Sequence, residues 1–210
     1  MYLSAQGTGK IKAVQEQQVM ISKLAVRITS TLCATSVIEE GDKELYIYGF
    51  FILLSRIFFF CVTVLFGFLC AIPLESVLFY VMFTLLRSYA GGVHARTENM
   101  CSVLTTLSLL TSIFGIRMLN FLENGILSLT ILSIGAASII ALSPLDTPEK
   151  PLDRTERLHY RRISIIIVAA YLVLALLMYA MGLNGVLSAV TGSIALEAVL
   201  MISGKIMQLC

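Results

Sequence analysis

Charged residues are scarce in this chain. Of its 210 residues only 13% are Asp, Glu, Lys or Arg, about half of the share in an ordinary globular domain. Hydrophobic residues make up 58% and the mean hydropathy is +0.90, which excludes a single water-soluble core. There is no Trp and the net charge is only +2. The chain therefore lacks the clustered positive charge and stacking aromatics of a nucleic-acid-binding surface, and we expect no nucleic-acid partner.

Paired cysteines are also missing. The five cysteines are an odd number, lie scattered and form no C-x-x-C pair, so they indicate neither a disulfide framework nor a zinc ribbon; they are Cys33, Cys61, Cys70, Cys101 and Cys210. Residues 1–10 are polar, without the basic-then-apolar order of a cleavable signal peptide. We expect the internal helices to direct membrane insertion.

Long uncharged apolar tracts are what the chain has instead. Several approach or exceed the roughly 20 residues that cross a bilayer as a helix, which predicts an all-α polytopic membrane protein with about six transmembrane helices. The predicted crossings are Ile47–Ile72, Ser76–Leu86, Met100–Met118, Gly125–Leu142, Ile163–Leu183 and Gly185–Ser203. The second is short, since even fourteen helical residues give only about 21 Å against roughly 30 Å of hydrocarbon.

The N-terminal part differs from the rest in its pattern. From Ile11 to Ile38, apolar residues recur every three to four positions among basic ones, as in an amphipathic helix that lies on a membrane. We therefore divide the chain into a cytoplasmic N-terminal segment, residues 1–45, and a polytopic membrane domain, residues 46–210.

Basic residues predict the orientation. All of the 15 Lys and Arg residues except Arg56 and Arg117 fall in segments that six crossings place on one side. Basic residues beside transmembrane helices are retained in the cytoplasm. This predicts that both termini and the turn between the second and third crossings are cytoplasmic.

His94 and Cys101 pair a base with a nucleophile in that turn. On an unbroken helix, residues seven apart lie about 10 Å from each other, too far for proton transfer. A helix break is therefore required, and Gly91 and Gly92 permit one because glycine adopts backbone angles that other residues avoid. The alternative is that a small buried cysteine and a loop histidine are incidental neighbours.

The third crossing would then begin just before the cysteine. Thr97 or Asn99 is a suitable N-cap, which would leave Cys101 in the first helical turn. There the helix macrodipole and a neighbouring imidazolium would both favour the thiolate. The pattern indicates a Cys-His nucleophilic pair at a membrane boundary, with no third residue identifiable.

These residues match a family pattern. The spacing Arg87-x4-Gly92-x-His94-x6-Cys101, with Ala90-Gly91-Gly92-Val93-His94-Ala95 around it, resembles the accessory gene regulator B (AgrB) family of membrane cysteine peptidases in Gram-positive quorum sensing. Residues 143–153 and the basic run that follows resemble the Pro-rich loop between that family's fourth and fifth crossings.

The resemblance implies a function. The family removes the acidic C-terminal tail of a pheromone precursor peptide of the AgrD type, holds the shortened peptide as a thioester, and promotes its cyclisation to a thiolactone or lactone. By position, Cys101 would be the nucleophile and His94 the general base. Arg87, Gly91 and Gly92 would support them: Gly92 by turning His94 toward Cys101, and Arg87 by anchoring the turn or by binding a substrate carboxylate. No cofactor or metal is implied; the partners are the precursor, the lipid bilayer of the cell membrane and a second copy in a homodimer.

Other interpretations remain open at this point. The chain could be a small membrane transporter in which the intramembrane charges Arg56 and Glu197 line a path and His94 relays protons. A membrane assembly factor with a metal held by His94 and Cys101 is a weaker interpretation, because a closed zinc site needs four ligands. The basic loop, residues 143–162, could either set topology through anionic lipid or receive the acidic precursor tail. The short second crossing also suggests that the His94 turn sits in a partly dry recess, which would protect a thioester.

Overall fold

Helices account for all regular structure in the residues that the structure describes. The computed structural model describes residues 20–35, 37–91, 98–145 and 153–209, with the backbone alone at 98–101 and 207–209. A 3-10 turn, Glu40–Asp42, precedes the second helix. The helices are α1 (residues 20–34), α2 (Lys43–Leu69), α3 (Pro73–Ala90), α4 (Glu98–Leu122), α5 (Gly125–Leu142), α6 (Arg154–Ala180) and α7 (Asn184–Leu209). The predicted all-α class is confirmed.

Five helices of the described residues are long and apolar enough to cross a membrane: α2, α4, α5, α6 and α7. The chain is a multi-pass membrane protein. The prediction for the second crossing was wrong in length, because α3 has 18 residues and spans about 27 Å. Its two charges, Glu75 and Arg87, lie in the first and last turns, where they complement the helix dipole instead of interrupting the helix. The recess hypothesis therefore loses its original basis.

The fifth crossing also begins earlier than predicted. A capping box between Asp153 and Glu156 starts α6 at Arg154, nine residues before Ile163. Residues expected in a loop therefore lie on exposed helical turns: Arg154, Arg157, His159, Arg161 and Arg162. The 27 residues of α6 span about 40 Å, so its polar first turns extend beyond the hydrocarbon. By contrast, α5 has the predicted bounds, with the Asn124 side chain capping its first turn.

The described helices fall into two compact units, one within residues 1–62 and 96–106 and the other within residues 63–95 and 107–210. In the first unit, α1 buries Ala25 and Thr29 and exposes Met20 and Leu24. Exposed apolar side chains of this kind are expected of a helix that lies on a membrane. The remaining residues of the predicted amphipathic segment, 11–19 and 36, lie outside the described residues.

In the second unit, α7 is the central helix. Of its apolar span 61% is buried, against 28% or less in each of the other four candidate spans. Small residues make this burial possible: a Cβ added at Gly192 would lie 2.7 Å from Ile116 of α4, and Ser188 donates a hydrogen bond to Asn120 of α4. Close packing through Ser188 and Gly192 agrees with their small-xxx-small spacing.

Candidate active site at the end of α3

The turn that leaves α3 is fixed by a glycine. Gly91 follows the last residue of α3 with φ +83° and ψ −167°, a backbone region that is essentially restricted to glycine. It forms a parallel bridge with Leu145, whose N–H donates to the carbonyl of Ala90 at 3.1 Å. A Cβ at Gly91 would lie 2.5 Å from the Leu145 carbonyl oxygen. The turn therefore packs against the segment that follows α5.

A charged side chain holds the same turn. Arg87, in the last turn of α3, donates from Nη1 to the Gly91 carbonyl oxygen at 3.2 Å. The same Nη1 lies 3.7 Å from Oε1 of Glu197, whose side chain is fully buried, whereas the Arg87 side chain is 25% exposed. The sequence analysis named Glu197 only together with Arg56, as intramembrane charges that could line a path. The available signal was the presence of an opposite charge on another apolar helix, because such charges are costly unless paired.

Helix α3 ends at Ala90 and α4 begins at Glu98, so the two helices are separate, but the position of the break relative to His94 lies outside the described residues. Cys101 lies in the first turn of α4, as predicted. Asn99 lies within that helix, so its prediction as N-cap was wrong. Gly92, His94 and Thr97 lie outside the described residues, and Cys101 is described by its backbone alone; the assignment of the catalytic pair stays a prediction.

A basic cavity adjoins the segment that holds Gly91. It has a volume of about 370 Å³ and is lined by Arg157, Leu158 and Arg161 of α6, Lys205 of α7 and residues 141–145, which include and follow the end of α5. Among these residues is Ser143, whose buried hydroxyl has no hydrogen-bond partner within the described part of the chain. The three basic side chains give the described lining a positive charge, which attracts anionic groups.

The other intramembrane charge is Arg56. Arg56 lies on an exposed face of α2, in the other compact unit. Within the described ranges, no group of three or more His, Cys, Asp or Glu side chains is placed to hold a metal ion.

A comparison with protein-family models identifies the family of this chain. The family model described as accessory gene regulator B matches residues 22–203. The chain belongs to the accessory gene regulator B family. Membership in this family implies a role in the processing of accessory gene regulator peptides, and the turn at Gly91 lies within the matched region.

Two relatives of the accessory gene regulator B type come from Clostridium perfringens. An AgrB-like protein of strain SM101 is 27% identical over 166 residues, which cover 75% of this chain and 77% of the relative. An AgrB-like protein 2 of strain 13 is 26% identical over 171 residues, which cover 76% and 79%. No solved structure matches the chain.

Proposed function

We propose that this chain is a membrane cysteine endopeptidase that removes the acidic C-terminal tail of a pheromone precursor and promotes ring closure of the remaining peptide. His94 acts as the general base and Cys101 as the nucleophile. The observation that supports the proposal is that α3 and α4 are separate helices, with Cys101 in the first turn of α4. A single continuous helix from α3 through α4 would forbid a close approach of the two side chains.

The end of α3 supports this assignment. Gly91 is held by the side chain of Arg87 on one side and by the backbone of Leu145 on the other. The chain therefore leaves α3 from a fixed point three positions before His94. Cys101 is in the first turn of α4, where the macrodipole stabilises a thiolate.

The reaction transfers the peptide acyl group twice. His94 takes the proton of the Cys101 thiol, and the thiolate attacks the scissile carbonyl carbon. As the C–S bond forms and the C–N bond breaks, His94 returns the proton to the leaving amine. A thiol or hydroxyl of the bound peptide then gives its proton to His94 and attacks the thioester carbon; the C–S bond to Cys101 breaks, and the released thiolate takes the proton from His94, which closes the ring and restores Cys101.

The basic cavity is the proposed receptor for the tail that is removed. Arg157, Arg161 and Lys205 offer three positive charges, and charge-assisted hydrogen bonds to carboxylates are stronger than neutral ones. Leu145 lines the cavity and also pairs with Gly91. A tail bound here would therefore lie next to the turn that leads to His94.

Membrane orientation and assembly complete the proposal. Both termini and the His94 turn face the cytoplasm of the cell membrane, because the basic residues are retained there. The protein acts as a homodimer in quorum sensing.

The decisive experiment replaces the nucleophile. Purified protein in lipid vesicles is incubated with a precursor peptide of the AgrD type, and products are measured by mass spectrometry. Cys101→Ser should reduce cleavage to background and abolish the hydroxylamine-sensitive peptide adduct. Cys61→Ser, the same change at an exposed cysteine of α2, is the matched control and should retain both. Normal cleavage by Cys101→Ser would refute the proposal, and flux of a solute without cleavage would favour the transporter.

A further inference from the structure

Glu197 is a buried acid without full hydrogen bonding. Its side chain is fully buried in α7, and neither carboxylate oxygen has a hydrogen-bond partner within the described part of the chain. Its ion pair with Arg87, at 3.7 Å, is longer than a charge-assisted hydrogen bond of about 2.7–2.9 Å. Burial of such a charge is costly, so stability alone is a poor explanation for its presence.

The atom that Glu197 faces also touches the turn at the end of α3. Nη1 of Arg87 lies between the Glu197 carboxylate and the Gly91 carbonyl, 3.7 Å from the first and 3.2 Å from the second. The acid therefore attracts the guanidinium that donates to the turn. Glu197 is on α7, the most buried of the candidate spans, so its own position is well defined by packing.

The arrangement also limits what Arg87 can do. Its charge is balanced by a buried carboxylate of its own chain, and its Nη1 already donates to a backbone carbonyl. Both observations favour an anchor of the turn over a receptor for a substrate carboxylate. In the proposed function, the substrate carboxylates are bound instead by the basic residues of the cavity, Arg157, Arg161 and Lys205.

We propose that Glu197 is a positioning residue for peptide cleavage, which acts by holding Arg87 against the Gly91 carbonyl and so fixes the backbone at the end of α3, three positions before His94. The inference rests on the proposed function of His94 and Cys101. It assigns no contact between Glu197 and the substrate.

The first test removes the charge and keeps the shape. Glu197→Gln is compared with Thr191→Val, which removes a buried hydroxyl that donates to the Leu187 carbonyl of the same helix and leaves Arg87 unchanged. We expect Glu197→Gln to lower kcat for precursor cleavage at least tenfold with little change in KM. Thr191→Val should lower thermal stability and retain kcat. Equal kcat in Glu197→Gln and the native protein would overturn the proposal.

The second test separates positioning from stability. The exchange Arg87→Glu with Glu197→Arg retains an ion pair, but a glutamate at position 87 cannot donate to the Gly91 carbonyl. We expect the exchanged protein to regain the membrane yield and melting temperature that Arg87→Glu loses, while cleavage stays below about one tenth of the native rate. Recovery of cleavage together with stability would show that the pair is merely structural and would overturn the proposal.

A third measurement needs no precursor. In a protein whose other cysteines are replaced by alanine, the rate of Cys101 alkylation by iodoacetamide is followed against pH. If Glu197 positions the turn, its replacement by Gln should move the midpoint of this profile upward, toward the value of about 8.5 for a free thiol. An unchanged midpoint would contradict the proposal. A native profile that already resembles a free thiol would contradict the proposed catalytic pair itself, which distinguishes the two failures.

Discussion

At the scale of single residues, two glycines show how space and backbone angle act separately. Gly91 and Gly182 both have positive φ, +83° and +72°, so each would be strained by a side chain. Around Gly182 nothing lies within 4 Å of an added Cβ, whereas at Gly91 the Leu145 carbonyl oxygen lies 2.5 Å away. A side chain would therefore strain the backbone at both glycines, but only at Gly91 would it also clash with a neighbouring backbone atom.

We therefore predict that Gly91→Ala lowers kcat/KM for precursor cleavage at least tenfold and lowers the unfolding free energy by more than about 2 kcal/mol. Gly182→Ala should cost about 1–2 kcal/mol, as a non-glycine residue at positive φ does, and should retain cleavage. Cleavage assays and thermal unfolding in detergent measure both. Equal losses of activity in the two variants would show that the Gly91 turn has no special role.

At the scale of elements, the first turns of α6 line the basic cavity. The capping box at Asp153 and Glu156 continues the helix into what the sequence indicated as a loop. Helical geometry then determines which basic side chains reach the cavity. Arg157 and Arg161 are four apart and share a face, and both line the cavity together with Lys205.

The neighbouring arginines 161 and 162 give a matched test of the cavity. Arg161 lines it and Arg162 is not part of its lining, yet reversal of either charge changes the net charge equally. We predict that Arg161→Glu raises KM for the acidic-tailed precursor about tenfold, which corresponds to about 1.4 kcal/mol, and that Arg162→Glu leaves KM within about twofold. Similar effects of the two variants would instead support a general role in topology or contact with anionic lipid.

At the scale of the whole molecule, four helix ends of the second compact unit meet. The bridge between Gly91 and Leu145 joins the ends of α3 and α5, and the cavity joins the end of α5 to the start of α6 and the end of α7. The turn between α6 and α7 is at the opposite end of these helices. The side of the membrane on which these ends lie stays a prediction from the basic residues.

Reporter fusions test this arrangement in cells. Alkaline phosphatase is active only outside the cytoplasm, so fusions after Arg96 and after Lys205 should be inactive, whereas a fusion after Gly182 should be active. The charge bias of flanking segments is the physical reason. Activity after Arg96 would reverse the proposed orientation, and different results after Arg96 and Lys205 would contradict the meeting of the α3 and α7 ends.

The sequence by itself determined the helices and the separation of α3 from α4. Apolar tracts of sufficient length predicted the five candidate spans of the described residues, and α5 was predicted to the residue, because hydropathy and helix length are local properties. Helix starts that depend on capping contacts were harder to predict. The capping box of Asp153 and Glu156 starts α6 within a polar stretch, and polarity by itself indicates a loop.

Only the tertiary structure decided which residues meet. Arg87 and Glu197 lie on helices far apart in the chain, and Leu145 reaches Gly91 from beyond α5. The face that each helix turns to its neighbours depends on the fit of small residues, such as Gly192 against Ile116. This fit cannot be read from the spacing of apolar residues along one helix. Long-range pairing of buried charges is decided by the packing of whole helices, because only that packing removes both groups from water and brings them together.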